Sequence, residues 1–164
     1  MEKAIRIKKN IFFDDRGSFS PLSLKELDKV WAQSNISVNP NKWTLRGLHF
    51  QKGLLAQAKL IKVINGKILD FVLDMREGFN NNIEFFEMNS GDEIFVPKGF
   101  AHGFITLENN TIVQYLVDNK YDPPSEGSLV WSNFPVIEEE IKLLDPDFNK
   151  EMIIISDKDL VENL

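Results

Sequence analysis

The chain carries two histidines and no cysteine, so acid–base chemistry near neutral pH has few possible carriers. An imidazole ordinarily titrates near ~6.5, which suits it to take up and release protons at that pH. His49 stands in Leu45 to Lys62, LRGLHFQKGLLAQAKLIK, together with Arg46 and Lys59. His102 stands in Val96 to Phe104, VPKGFAHGF. The first run reads as two short strands and a turn. The two runs are expected to face each other across the mouth of a β-sandwich and to form an enzyme site.

Composition bounds what such a site can serve. A chain of 164 residues, 43% apolar and 27% charged, is of ordinary globular make-up and large enough for one domain spanning residues 1–164. Thirteen phenylalanines suit a sandwich interior. A net charge of −6 argues against a general binder of nucleic acid or anionic membrane, yet leaves room for a basic pocket holding one anionic ligand. Without cysteine there is no disulfide framework, thiolate zinc site or thiol catalysis. The start MEKAIRIKKN lacks a signal peptide's apolar core, and no run approaches the ~18 apolar residues of a membrane span. The expected location is cytoplasmic.

The elements that must position these residues read mainly as strands. Ile5 to Phe13 alternates loosely and meets a turn at DDRGSF, closed by Gly17. Ser23 and Glu26 form a capping box, and Leu24, Leu27 and Trp31 then predict one short amphipathic helix in SLKELDKVWA. Next comes QSNISVNPNKW, with a turn at Asn39-Pro40-Asn41. LIKVI, Asn65-Gly66 and KILDFVLDM predict a hairpin on a type I′ turn. IEFFEM, DEIFVP, GFITL and TIVQYLV follow at the spacing of a sandwich or barrel, separated by Gly78 with Asn80 to Asn82, Ser90-Gly91, Pro97-Lys98-Gly99 and Asn109-Asn110. After Tyr121 periodicity is lost. One all-β domain with small helical margins is expected.

Gly91, Pro97, Gly99 and His102 are spaced G-x5-P-x-G-x2-H, which resembles the second signature of the cupin superfamily. Metal-binding cupins have an H-x-H pair in their first motif. Here that place reads His49-Phe50-Gln51, and two histidines without a third ligand nearby make a poor site for Zn²⁺ or Fe²⁺. No metal and no other cofactor is expected, which leaves His49 free to act as a base.

R-G-L-H-F-Q, A-Q-A-K-L and V-P-K-G-F-A-H-G-F, in that order, resemble the dTDP-4-dehydrorhamnose 3,5-epimerase family, metal-free cupins of sugar-nucleotide metabolism. The likeness runs from DDRGSF through Y-D-P-P-S-E-G at Tyr121 to S-D-K-D at Ser156. It implies a cupin-type double-stranded β-helix (jelly roll), a homodimer, and inversion at carbons flanking a 4-keto group. A base removes the proton beside the ketone, the enolate is stabilised, and a proton returns to the opposite face. By the resemblance His49 is the base, held by Asp159. Lys59 is the cation beside the carbonyl oxygen, and Tyr115 is the acid on the far face.

The resemblance further implies that Arg16, Arg46 and Lys158 contact the diphosphate, a task suited to arginine's planar fork of donors. Gln33, Asn35, Glu126 and His102 match positions that hydrogen-bond nucleotide or sugar, and Phe19 matches an aromatic that stacks on the base. Arg16 and Phe19 lie in an N-terminal segment that crosses to the partner subunit in the family.

Each residue has a plainer reading: Lys59 as a solvated strand residue, Tyr115 as a core aromatic, Asp159 as the close of a capping box begun by Ser156. Asp70 either orients Lys59 or is an outward strand carboxylate. Ser18, Pro21, Ile36 and Lys120 depart from the family pattern, largely where nucleotide and distal sugar would lie. Reaction type is therefore firmer than substrate. The alternatives are a sugar-nucleotide 3,4-ketoisomerase of the same fold, a non-catalytic carbohydrate-binding jelly roll, and a metal-dependent cupin oxygenase.

Overall fold

The structure is a computed structural model and describes residues 2–8, 11–15, 17–21, 29–76 and 82–164. Among them are twelve strands: β1 (Ile5–Ile7), β2 (Phe12–Asp14), β3 (Gly17–Phe19), β4 (Gln33–Asn39), β5 (Leu45–Gln51), β6 (Lys59–Asn65), β7 (Lys67–Asp74), β8 (Ile83–Asn89), β9 (Glu93–Val96), β10 (Phe100–Thr106), β11 (Thr111–Val117) and β12 (Glu126–Ser128). A first sheet has the order β1-β9-β6-β11-β4 and a second the order β12-β5-β10-β7-β8, while β2 and β3 form a separate hairpin. The fold is a cupin jelly roll.

The expected hairpin across Asn65-Gly66 does not form. β6 belongs to the first sheet and β7 to the second, so the turn is a corner where the chain changes sheets. Gly66 has φ +87, and a Cβ there would collide with Thr111. The Asn-Gly pair supplies the turn it promises. What it cannot dictate is whether the flanking strands pair, because both are buried and find partners farther along the chain. Within the two five-stranded sheets only β7–β8 joins consecutive strands.

Alternation within the strands divides the apolar residues into two groups. Ile61, Val63, Ile68, Val72, Val96, Phe104 and Val113 pack between the sheets. Leu69, Phe71, Leu73 and Ile105, on the other face of the second sheet, meet Ile137 and Ile141 of helix α1 (Pro135–Leu144). That explains why β7 is apolar on both faces and almost wholly buried. Helix α1 was not foreseen, although Pro135 at its start, Ile137 and Ile141 four apart, and the Glu138–Lys142 pair all mark it. The expected helix in SLKELDKVWA lies mostly outside the described residues, with Ser23, Leu24, Glu26 and Leu27 among those left out. Its last four residues, Lys29 to Ala32, are not helical, and Ala32 N–H donates to the Val117 carbonyl on the way into β4. Gly78, Asn80 and Asn81 of one expected turn also lie outside the described residues.

Candidate active site

One end of the space between the sheets is filled by the apolar group, and the other opens as a cavity of about 510 Å³. Its polar walls come from different sheets. β5 and β10 of the second sheet contribute Arg46, His49 and His102. Gln33, Asn35, Lys59 and Tyr115 come from β4, β6 and β11 of the first. The two histidines therefore do not face each other across the mouth. β5 pairs with β10, His49 lies directly beside His102, and the first sheet supplies the opposing wall.

A break in alternation arms the second wall. Arg46 pairs with Phe104, but His49 pairs with His102, so β5 holds one residue more than β10 between these points. This bulge brings Arg46 and His49, three apart, onto one face. Gly47 permits it: φ is +105, and a Cβ there would lie 2.5 Å from the His102 carbonyl oxygen.

His49 Nε2 lies 2.8 Å from Asp159 Oδ1. The second carboxylate oxygen accepts from the Gly47 N–H at 3.2 Å. Asp159 sits in a short 3-10 turn, Asp157–Leu160, whose N-cap Ser156 makes no side-chain capping bond. Burial works against the Asp159 charge, but the hydrogen bond and charge of His49 outweigh it and hold the carboxyl below its usual range. Because Nε2 faces Asp159, Nδ1 is left as the ring nitrogen for an incoming proton.

Lys59 is buried, and its ammonium donates to the His49 carbonyl at 3.2 Å. Burial lowers its pKa from 10.5 to about 8, against the opposing charges of Asp70 and Glu126. Asp70 does not orient Lys59 by a hydrogen bond, nor does it face outward. It lies fully buried behind the cavity with Oδ2 2.7 Å from His102 Nε2, and reaches Lys59 only through its charge. Burial pushes Asp70 up and His102 down, each against the attraction of the other.

Across from His49, Tyr115 is half-buried, and burial raises its phenol pKa against the charges of Arg46 and Lys158. Arg46 Nε donates to Asn39 Oδ1 at 2.9 Å, and Gln33 Nε2 to Asn35 Oδ1 at 2.6 Å. At the rim, Glu126 meets Lys158 at 3.3 Å. Sequence reasoning missed Tyr121, whose hydroxyl donates to Glu126 at 2.8 Å. Its signal lay in the quoted Y-D-P-P-S-E-G, where Asp122 accepts from Ser125 N–H and shapes the turn that delivers Glu126. Phe19 does not line this cavity; it is 67% exposed on the β2–β3 hairpin. Arg16 lies outside the described residues. Among the described residues no group of three or more His, Asp or Glu is placed to hold a metal ion.

The sequence profile of the dTDP-4-dehydrorhamnose 3,5-epimerases matches residues 1–164. The chain belongs to the dTDP-4-dehydrorhamnose 3,5-epimerase family. It is therefore one of a family of epimerases. The Salmonella typhimurium enzyme of that name is 34% identical over 138 residues, covering 77% of this chain and 75% of that protein. The Bacillus anthracis epimerase, solved with TDP and pyrophosphate bound, superposes with a TM-score of 0.79 at 34% identity, covering 98% of this chain and 93% of that one. The Legionella pneumophila enzyme, solved with dTDP-4-keto-L-rhamnose, gives 0.79 at 28% identity, covering 97% and 86%.

Proposed function

We propose that this chain, as one domain, inverts C3, C5 or both in a nucleotide-linked 4-keto deoxysugar. The observation that carries this is the placement of His49 and Tyr115 on opposite sheets of one cavity that Lys59 also lines. His49 takes the proton beside the ketone at Nδ1, with Asp159 fixing the ring through Nε2. The carbanion is held as an enolate whose oxygen faces the Lys59 ammonium, a stabilisation strengthened where water is scarce. Tyr115, its proton kept by a raised pKa, delivers to the other face. Arg46 and Lys158 meet the diphosphate, for which Lys158 exchanges its partner Glu126. Gln33, Asn35 and His102 supply hydrogen bonds to nucleotide or sugar.

The substrate reading is a dTDP-linked sugar, supported by the ligand named with the Legionella enzyme. A homodimer is proposed with it. Phe12, Phe13 and Phe19 are 62%, 78% and 67% exposed on the hairpin, an apolar arm suited to reach a partner's site and complete it with Phe19 and Arg16. No helix among the described residues is long and apolar enough to cross a membrane; the cytoplasm is the proposed location.

Incubation with dTDP-4-keto-6-deoxyglucose in deuterium oxide tests the reaction. NMR should show deuterium at C3, at C5 or at both, with the ketone still at C4. Migration of the ketone would establish the ketoisomerase instead. Tyr115→Phe should impair net inversion more than exchange; equal loss of both would refute the opposite-face role.

A further inference from the structure

His49 lines two cavities. Beside the main one is a smaller space of about 230 Å³ bounded by His49, Glu126, Ser128, Lys158, Val161 and Asn163. It lies along β12, the edge strand of the second sheet, where Ser128 pairs with His49 on one side. On the other side the C-terminal segment closes the edge: Ser128 N–H donates to the Asn163 carbonyl at 2.8 Å, and Asn163 N–H returns to Ser128 at 2.9 Å. Ser128 Oγ donates to the Val161 carbonyl, and Asn163 Nδ2 to the Glu126 carbonyl. The polar side chains of Glu126, Ser128, Lys158 and Asn163 line this space among apolar surface, and bridging water could bind at those groups.

Inversion of both carbons in one binding event needs such a space. Each inversion leaves on His49 a proton that came from carbon, while a different proton passes from Tyr115 to the opposite face. Before His49 can act again its N–H must give up that proton, and a substrate filling the main cavity blocks the way to solvent. We propose that the side cavity is the route by which His49 passes its abstracted proton to water while substrate is bound, a role that rests on the epimerase reading above. The C–H bond breaks, the N–H bond forms and then yields its proton to water in the side cavity. Water restores the Tyr115 phenol, so no net proton is consumed. Glu126 stands where both spaces meet, near enough to His49 for their charges to interact, and its ionised carboxylate favours a proton leaving in that direction.

Val161 is 63% exposed, so enlarging it need not disturb the core. In deuterium oxide with dTDP-4-keto-6-deoxyglucose, Val161→Phe should lower kcat several-fold with KM and melting temperature unchanged. Recovered substrate should retain its protium, because the trapped proton returns to the carbon it left. Val161→Ala should match wild type. If the Phe variant is unstable, Asn163→Leu removes polar lining and supplies the same reading. Wild-type kcat and deuterium content in the blocked variants would overturn the route alone. A wild-type protein that exchanges nothing would sink the epimerase reading, and the route with it.

Discussion

The two imidazole–carboxylate pairs have nearly the same separation and differ in what surrounds them. His49 lies 2.8 Å from Asp159, and His102 lies 2.7 Å from Asp70. The His49 side chain is 25% exposed to the cavity, while His102 is at 9% and Asp70 at 0%. Asp159 gains a backbone N–H and stays ionised; Asp70 keeps an oxygen, Oδ1, with no hydrogen-bond partner among the described residues. Burial drives the Asp70–His102 pair toward its neutral forms. The same two side chains thus make an imidazole open to the cavity in one place and a buried wall beside Lys59 in the other. Solvent access, and not contact geometry, separates the roles.

Substitution should split the pairs. His49→Ala is expected to abolish exchange at the sugar carbons, a loss of about 10²–10⁴-fold, with little change in melting temperature. His102→Ala should instead spare proton abstraction at saturating substrate and lower stability by about 1–3 kcal/mol in denaturant titration, because the buried Asp70 carboxyl loses its hydrogen-bond partner. If His102→Ala stopped proton abstraction as fully as His49→Ala without destabilising the fold, the contrast would collapse. Asp159→Asn should cost about 10–100-fold in kcat with KM held, since it loosens the ring and removes its counter-charge.

The smallest effect lies in the pH profile. Lys59 falls from 10.5 in the unfolded chain to about 8 in the folded one. Its cation is lost as pH rises through about 8, so kcat should decline on that limb, and Lys59→Met should remove the limb along with most activity. Stability moves oppositely. Between about 8 and 10.5 the unfolded chain holds a proton that the folded chain has shed, so this group adds stability as pH rises, on the order of 3 kcal/mol. Below pH 8 that gain is absent. A melting curve flat across this window would mean Lys59 is better solvated than its burial implies.

Strand identity was legible because alternation and punctuation are local: TIVQYLV is β11, bounded as read, and β4 begins at Gln33 and runs one residue into the turn read at Asn39. So was the set of chemical groups, since two histidines and no thiol left little choice. Strand partnership was not legible, as the failed Asn65-Gly66 hairpin shows, because pairing depends on surfaces far apart in the chain. Nor was the union of Arg46 and His49 on one wall, which a period of two forbids and the bulge at Gly47 provides. Sequence by itself determined which side chains could move a proton and that strands would carry them. Tertiary structure decided which imidazole water and substrate can reach, because burial, and with it proton affinity, belongs to the packed molecule and not to any stretch of chain.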